Sequence, residues 1–262
     1  MTSERPIALD EQDLQAGELT LEGRITVASN ATFVGRIGDV RVVYKPTAGE
    51  RPLWDFPDQT LAPREVAASL VSEALDWRIV PRTWVRDGPL GPGMVQLWQE
   101  PDAEQDPVDV VPSTAVPQGW RTVLEGHDEG GQTVAVIHED TPALRRIAVF
   151  DVLVNNADRK GSHILPATDG HRYGVDHGVS FHTEPKLRTV LWGWIGEALD
   201  SGETAGVERV VSGLSGDLGQ RLRALLSQPE VEALAARCDH LLATGTFPPP
   251  EGDAPAVPWP LF

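Results

Sequence analysis

Residues 150–163 have the sequence FDVLVNNADRKGSH, in which an apolar run ends in a cluster of Asn, Asp, Arg, Lys and His side chains. Thr141 and Pro142 precede this stretch and are typical of a helix start, because Thr caps the first turn and Pro fits its first position. The sequence therefore predicts a helix that runs into the cluster. One Gly or Asn is enough to end a helix, so the cluster is either a solvated helix end or an active-site loop.

Two carboxylates and a histidine follow this helix in adjacent predicted loops. Asp158 and His163 lie in the first loop, and Asp176 follows a short apolar strand in the segment YGVDHGVSF. Two carboxylates with a nitrogen ligand near them could bind a divalent ion and accept a proton. Each residue taken singly is equally typical of a turn, where Asp side chains hydrogen-bond to the backbone.

The N-terminal part contains short β-branched runs that predict strands near 19–28, 32–37 and 40–45, followed by a helix. Lys45 ends the third strand, and its side chain either extends to solvent or points into a cleft. Glu65 lies in the first turn of the helix, where the helix dipole alone favours an acidic residue. Glu65 could also pair with Lys45 and hold its ammonium toward a phosphate.

Composition along the chain predicts four segments. Residues 1–17 are polar and expected to be flexible, and residues 18–100 form a β-rich lobe with one helix. Residues 101–140 are rich in Pro, Asp, Glu and Gly, which predicts an irregular connector or insertion. Residues 141–262 are expected to be a mainly helical lobe with a small hairpin. The expected fold class is therefore α+β with two lobes, and a cleft between lobes is a common ligand site.

The net charge of −17 disfavours nucleic acids and anionic membranes as partners, because both repel a strongly acidic protein. No apolar stretch approaches the roughly 18 residues that span a bilayer, so no integral membrane association is expected. The sequence shows no signal peptide, and its single cysteine, Cys238, cannot form an intrachain disulfide. These features predict a cytoplasmic location, and they do not indicate an oligomeric state.

In combination, the motifs resemble the actinobacterial phosphatidylinositol 3-/4-kinase-like family (the SCO1664 family) over roughly residues 18–245. The matching segments are VYKPTAGERPLWDFPDQTLAPREVAASLVSEAL, FDVLVNNADRKGSHIL, YGVDHGVSFH and KLRTVLWGWIGEAL. More distantly, the chain is similar to HipA-type kinases, which share a helix followed by an Asn-x-Asp-Arg segment. The resemblance implies a two-lobed protein-kinase-like fold. It also implies an enzyme that uses ATP with Mg²⁺ or Mn²⁺ to phosphorylate a hydroxyl group of a small molecule or a protein.

The resemblance also implies roles for particular residues. Lys45 would bind the nucleotide phosphates, with Glu65 as its orienting partner. Asp158 would be the catalytic Asp, and Arg159 or Lys160 would contact the transferred phosphate.

The remaining implied roles concern the metal and the nucleotide. Asp176 would hold the metal ion, and His163 stands where kinases have a metal-binding Asn. Ser29 and Asn30 would belong to the loop that covers the phosphates. The hinge to adenine would lie at residues 96–98, that is, at Gln96, Leu97 and Trp98.

Two departures from kinase patterns keep other functions open. An imidazole at position 163 suits Mn²⁺ better than Mg²⁺, or it does not bind metal and the chain is a nucleotide-binding pseudokinase. The loop over the phosphates also lacks the G-x-G-x-x-G of protein kinases. A metallohydrolase is a further alternative, because four histidines lie among several Asp residues, but no recognised zinc spacing is present. The histidines are His163, His171, His177 and His182.

Overall fold

The computed structural model describes residues 11–26, 28, 30–251 and 255–262. The chain divides into two units. The first, here called the sheet unit, comprises Met1–Ala62 and Arg82–Trp98, and the second, here called the helical unit, comprises Pro63–Pro81 and Gln99–Phe262.

Within its described residues, the sheet unit contains a five-stranded antiparallel sheet in the order β1-β2-β3-β5-β4. A short helix, α1, precedes it at Glu11–Ala16. The strands are β1 Leu19–Arg24, β2 Phe33–Ile37, β3 Val40–Pro46, β4 Thr83–Gly88 and β5 Gly91–Leu97. The core of the sheet unit combines buried apolar residues of α1 and of the sheet: Leu14, Leu19, Ile37, Val42, Tyr44, Trp84 and Val95.

The alternation of burial along β3 fixes the direction of Lys45. Val42 and Tyr44 are buried in the core of the sheet unit, whereas Val43 and Lys45 are only partly buried. Successive side chains of a strand point to opposite faces of the sheet. Lys45 therefore projects from the face opposite to this core.

The helical unit contains five helices among its described residues. The helices are α2 Leu61–Ala74, which begins at the end of the sheet unit, α3 Pro142–Val154, α4 Ser201–Leu214, α5 Asp217–Arg223 and α6 Gln228–Thr244. Residues from all five helices contribute to one hydrophobic core. None of the helices in the described residues is both long and apolar enough to cross a bilayer.

The composition predicted an irregular connector or insertion at residues 101–140, but this segment is not irregular. Within the described residues they contain a three-stranded antiparallel sheet in the order β6-β8-β7. Its strands are β6 Val108–Pro112, β7 Trp120–His127 and β8 Thr133–Glu139. The Pro and Gly residues that suggested irregular structure lie largely outside the strands, while β8 contributes the consecutive buried residues Ala135, Val136 and Ile137.

The helix after residue 62 also differs from its predicted place. It was expected in the β-rich lobe of residues 18–100, but Pro63–Pro81 belongs to the helical unit. The reason is its apolar face, because Ala67, Val71 and Leu75 are fully buried in the core of that unit. A second difference lies within residues 141–262, which were expected to be mainly helical: residues 187–200 contain only the short 3-10 turn Trp192–Trp194.

The predicted hairpin around Asp169 and Gly170 is present. Strands β9 Ile164–Pro166 and β10 Arg172–Gly174 pair antiparallel, and Gly170 has the positive φ of 85° that its turn requires. The α+β class is confirmed, with a β-rich unit and a mainly helical unit.

Candidate functional site

The candidate loop begins where α3 ends. The Thr141 hydroxyl accepts a hydrogen bond from the Leu144 N–H, and Pro142 occupies the first turn, as the sequence predicted. Asn155 ends the helix in the left-handed conformation, with φ of 53°, a conformation that Asn tolerates better than most residues. The polar cluster therefore starts at a defined helix C-terminus.

Two asparagines fix the loop to its surroundings. The Asn156 amide donates to Asp151 Oδ1 at 3.0 Å and accepts the Asp158 N–H at 3.0 Å, which sets the backbone at Asp158. The Asn155 amide donates to the carbonyl oxygens of His182 and Glu184 and accepts the N–H of Lys186. The loop and the segment 182–186 are thus held at the same helix end.

Asp158 lies at the surface of this loop beside a cation. Its carboxylate is partly exposed, and Oδ2 lies 3.3 Å from the Lys160 ammonium. Gly161, which follows Lys160, stands where a side chain would not fit, because a Cβ there would lie 2.5 Å from the Phe262 ring. The Gly161 N–H also donates to the Leu261 carbonyl at 2.8 Å. The loop therefore presents one carboxylate and one ammonium from a backbone that is held on both sides.

His163 connects this loop to the loop that carries Asp176. Its Nδ1 lies 2.8 Å from the backbone oxygen of Asp158, and its Nε2 lies 3.6 Å from Oδ2 of Asp176. A carbonyl can only accept, so Nδ1 carries the proton and the neutral ring presents a lone pair at Nε2. Burial lowers the pKa of His163 below its usual value, an effect that the Asp176 charge opposes.

Asp176 itself has an unusual backbone. Its φ of 62° lies in the left-handed region, which is uncommon outside glycine and recurs at functional sites. Its side chain is half exposed. A strained backbone that turns a carboxylate toward a histidine lone pair is an arrangement suited to binding a cation.

The pair of His163 and Asp176 fits a divalent ion. The 3.6 Å between Nε2 and Oδ2 is too long for a hydrogen bond, but one ion bonded to each atom at about 2.1 Å would span it. Within the described residues, no cluster of three or more His, Cys, Asp or Glu side chains could hold a metal alone. Mg²⁺ and similar ions are often held by one or two protein groups together with substrate phosphates, so two protein ligands meet that requirement.

Arg159 does not take the place that the sequence predicted. Its side chain is fully buried, and its guanidinium binds the equally buried Asp151 carboxylate through two bonds of 2.9 and 2.8 Å. It also donates to the backbone oxygens of His163 and Val175. A buried guanidinium with these partners holds the loops in position and does not face a phosphate. Of the two candidates for the phosphate contact, Lys160 is therefore the one with a partly exposed side chain.

The buried network continues to α2. Arg159 Nη2 lies 2.6 Å from His177 Nε2, and the His177 N–H donates to Glu65 Oε2 at 2.9 Å. Arg159 can only donate, so His177 Nε2 accepts and its Nδ1 carries the proton. Asp151, Arg159, His177 and Glu65, here called the buried polar chain, are each 2% exposed or less. Through it, α2 is bonded directly to the residue that follows Asp176.

Asp151 and His177 were not predicted as members of this chain. A signal for Asp151 was present, because a carboxylate inside the apolar run AVFDVLV must find a buried partner. No equivalent signal exists for His177, whose burial depends on the packing of its loop.

The four histidines of the metallohydrolase alternative do not converge. His171 Nε2 lies 3.0 Å from the Arg78 carbonyl, and His177 is held by Arg159. His182 Nδ1 accepts the Glu184 N–H. Each ring thus has a different partner, and only His163 faces a carboxylate of the site.

Of the residues expected to contact the nucleotide, the sheet unit holds Lys45, Asn30 and the proposed hinge. Asn30 Oδ1 accepts the Arg51 N–H at 2.8 Å, which ties its loop to the segment after β3. Ser29 lies outside the described residues. Lys45 belongs to the sheet unit and Glu65 to the helical unit, so their pairing stays a prediction.

The proposed hinge lies at the point where the chain leaves the sheet unit, after Trp98. The Gln96 side chain is buried and donates to the Thr83 hydroxyl at 2.8 Å. The Leu97 and Trp98 N–H groups donate to the carbonyls of Arg82 and Arg41. These groups are engaged within the sheet unit, and adenine binding by this segment stays a prediction.

Comparisons with known proteins place the chain in a family. It is 49% identical over 262 residues to Protein Rv2133c of Mycobacterium tuberculosis (strain ATCC 25618 / H37Rv), covering 95% of this chain and 94% of that protein. The chain belongs to the family of this mycobacterial protein. No family model matches the sequence, and membership of the 3-/4-kinase-like family stays a prediction.

Among solved structures, the chain is similar to the Helicobacter pylori proinflammatory kinase CtkA. The TM-score is 0.45 at 10% identity, over 89% of this chain and 94% of that chain.

Proposed function

We propose that the protein is an ATP-dependent phosphotransferase that transfers the γ-phosphate to a hydroxyl group of a small molecule or a protein. The observation that carries the proposal is the convergence of Asp158, His163 and Asp176 on two adjacent loops, with the Lys160 ammonium 3.3 Å from Asp158. Phosphoryl transfer requires an Asp near the acceptor hydroxyl, a metal-binding carboxylate and a cation for the transferred phosphate. These three groups match Asp158, Asp176 and Lys160.

In this mechanism, Asp158 orients the acceptor hydroxyl and accepts its proton as the oxygen bonds to the γ-phosphorus. The bond from that phosphorus to the β,γ-bridging oxygen breaks, and ADP leaves with the electron pair. Lys160 stabilises the negative charge on the transferred group. His163 Nε2 and Asp176 would hold Mg²⁺ or Mn²⁺, which when bound neutralises phosphate charge.

Residues of the sheet unit would complete nucleotide binding. Lys45 would contact the phosphates, the loop of Ser29 and Asn30 would cover them, and residues 96–98 would contact adenine. Arg159 acts in this scheme as a positioning residue, because its guanidinium holds the backbone of both loops.

The chemical class of the acceptor follows from charge. The protein carries a net charge of −17, and an anionic membrane would repel it. We therefore favour a hydroxyl group of a small molecule or a protein over a phosphoinositide as the acceptor. The cytoplasmic location expected from the sequence is part of the same proposal.

The decisive experiment measures ATP-dependent phosphate incorporation with Mg²⁺ and, separately, with Mn²⁺. The substrates are the protein itself and a metabolite mixture. Asp158→Ala and Asp176→Asn should each lower incorporation by at least about 100-fold. Asp109→Asn, which replaces an exposed carboxylate on β6, should leave phosphate incorporation unchanged. ATP binding without turnover under either metal would instead indicate a nucleotide-binding pseudokinase, and undiminished activity of Asp176→Asn would refute its role as a metal ligand.

A further inference from the structure

The helical unit contains a pocket that none of the proposed catalytic groups lines. Its volume is about 370 Å³, within the range of roughly 300–1,000 Å³ that small-molecule sites occupy. One wall is the α6 surface around Ala233, Ala236 and Leu241. The opposite walls are largely apolar and are formed by Val152, Pro185, Leu187, Trp192, Pro248 and Pro249. The pocket is thus suited to an apolar molecule.

One charged side chain of the pocket, Arg237, has no counter-ion among the described residues. Its Nε donates to the Leu153 carbonyl at 2.7 Å, and its Nη1 donates to the His182 carbonyl at 3.3 Å. Its Nη2 is buried and, in the part of the chain that the structure describes, has no hydrogen-bond partner. Both groups that it binds are neutral.

An uncompensated cation of this kind is costly. Taking a charge out of water requires a paired charge or additional hydrogen bonds to offset the loss. Burial lowers the pKa of Arg237 to about 10, so the group remains charged at neutral pH. Among the described residues, no carboxylate forms an ion pair with this guanidinium, and an anion from outside would supply a counter-charge.

We propose that this pocket binds a small amphipathic carboxylate, with its apolar body against the α6 wall and its carboxylate at Arg237. A monoanion fits better than a dianionic phosphate for two reasons. One guanidinium balances one negative charge, and the Glu251 carboxylate, which also lines the pocket, repels a dianion more strongly than a monoanion. This inference does not depend on the proposed kinase activity.

The pocket also borders the segment that Asn155 anchors. Asn155, Thr183, Pro185 and Leu187 line it, and the Asn155 amide binds the backbone of residues 182, 184 and 186. A carboxylate at Arg237 would therefore lie beside the helix end from which the candidate loop starts.

The test compares decanoate with decan-1-ol and decylamine by isothermal titration calorimetry, each below its micelle-forming concentration. These probes share one chain and differ in head-group charge. Decanoate should bind at least about tenfold more tightly than decan-1-ol, because hydrogen bonds to charged groups are the stronger ones. Decylamine should bind more weakly than either.

Two variants locate the site. Arg237→Gln should reduce decanoate affinity about tenfold and leave decan-1-ol affinity unchanged, while Arg223→Gln, an exposed arginine on α5, should behave like the parent. Ala236→Trp should fill the pocket and abolish binding of both probes. Ala236 is exposed, so this variant is expected to fold, and it tests the pocket even if Arg237→Gln does not fold.

Three results would overturn the proposal. Equal affinity for decanoate and decan-1-ol would show an apolar cavity without anion recognition. Decanoate binding that persists in Ala236→Trp would place the ligand elsewhere. Absence of decanoate binding to the folded parent protein would refute the site directly.

Discussion

The Nε2 atom of His163 lies 3.6 Å from the Oδ2 atom of Asp176, while its Nδ1 is held by the Asp158 backbone oxygen. The backbone contact fixes the tautomer and leaves the Nε2 lone pair directed at the carboxylate. Metal-binding histidines commonly have their second nitrogen held in this way. The proposed metal pair is therefore oriented by the same loop that carries the proposed catalytic Asp.

The first prediction concerns metal preference. An imidazole ligand suits Mn²⁺ better than Mg²⁺, whereas an amide oxygen suits Mg²⁺. His163→Asn should therefore shift the ratio of Mn²⁺- to Mg²⁺-supported activity toward Mg²⁺ by about tenfold or more. The measurement is ADP release during titration with each metal. His171→Asn is the matched control, and an unchanged ratio in His163→Asn would rule out His163 as a ligand.

The second prediction is the pH dependence of metal binding. Burial lowers the pKa of His163, so its ring stays neutral and able to bind metal at pH values where an ordinary histidine is protonated. Mn²⁺ affinity should hold as the pH falls through the usual histidine range and should decrease only when the pH passes the lowered pKa of His163. Titration of Mn²⁺ by electron paramagnetic resonance with a non-hydrolysable ATP analogue measures this directly. Loss of affinity centred on the ordinary histidine pKa would contradict the assignment.

The third prediction separates Lys160 from the other lysines. Its ammonium lies 3.3 Å from the Asp158 carboxylate. Lys160→Met should lower kcat by about 100-fold or more, because removing one stabilising donor from a transition state has effects of this size. Lys160→Arg should retain part of the activity. Lys186→Met serves as the control, and similar losses in both Met variants would argue against a specific role for Lys160.

Local signals predicted the elements that local chemistry determines. The start of α3 at Thr141 and Pro142, the hairpin turn at Gly170 and the approximate positions of β1–β3 follow from capping, turn and β-branched patterns. The three strands within residues 101–140 were missed because composition averages over strands and turns, and because their residues do not alternate between buried and exposed positions.

The place of Arg159 could not be predicted for a different reason. Its neighbours in the sequence are polar and indicate a solvent-facing loop, whereas its burial depends on Asp151, eight residues earlier in the sequence, and on His177 in another loop. Such a contact is a property of the packed structure. The Asp158, His163 and Asp176 cluster was easier to anticipate, because each residue type already indicated its chemistry.

The fourth prediction concerns the buried ion pair of Asp151 and Arg159. Asp151→Ala should destabilise the protein by about 3–5 kcal/mol, because it leaves a buried guanidinium without its counter-charge. The double variant Asp151→Leu/Arg159→Met should cost less than the sum of its single changes, since the charges are removed together. Urea unfolding of Asp151→Ala, of the double variant and of its two single variants, Asp151→Leu and Arg159→Met, measures both statements. Asp217→Ala, from an exposed pair with Arg221, is the control and should cost less than about 1 kcal/mol. Additive costs in the double variant would contradict the coupling.

The fifth prediction is a pH-dependent stability that arises from His138. This residue is fully buried, its Nδ1 lies 2.9 Å from the Glu139 carbonyl, and its Nε2 accepts the Gly193 N–H. Burial lowers its pKa to about 4, so the unfolded chain binds a proton between about pH 6.5 and 4 that the folded protein does not. Stability should therefore fall as the pH drops through this range, by roughly 3 kcal/mol from this group.

A comparison of variants isolates the contribution of His138 from the carboxylates that titrate nearby. His138→Gln should reduce the loss of unfolding free energy between pH 7 and pH 4.5, measured by urea titration. His127→Gln, at an exposed position in β7, should not change it. Parallel slopes for the parent and His138→Gln would show that His138 is not the source.

The buried polar chain of Asp151, Arg159, His177 and Glu65 has an evolutionary consequence. Each member satisfies the charge or hydrogen bonds of the next. Replacing one therefore leaves its neighbour buried without a partner, where water cannot take its place. A lineage can therefore not drift at these positions one substitution at a time without passing through a weakened intermediate. Among descendants of a common ancestor, we expect the four residues to be inherited together or exchanged as a set.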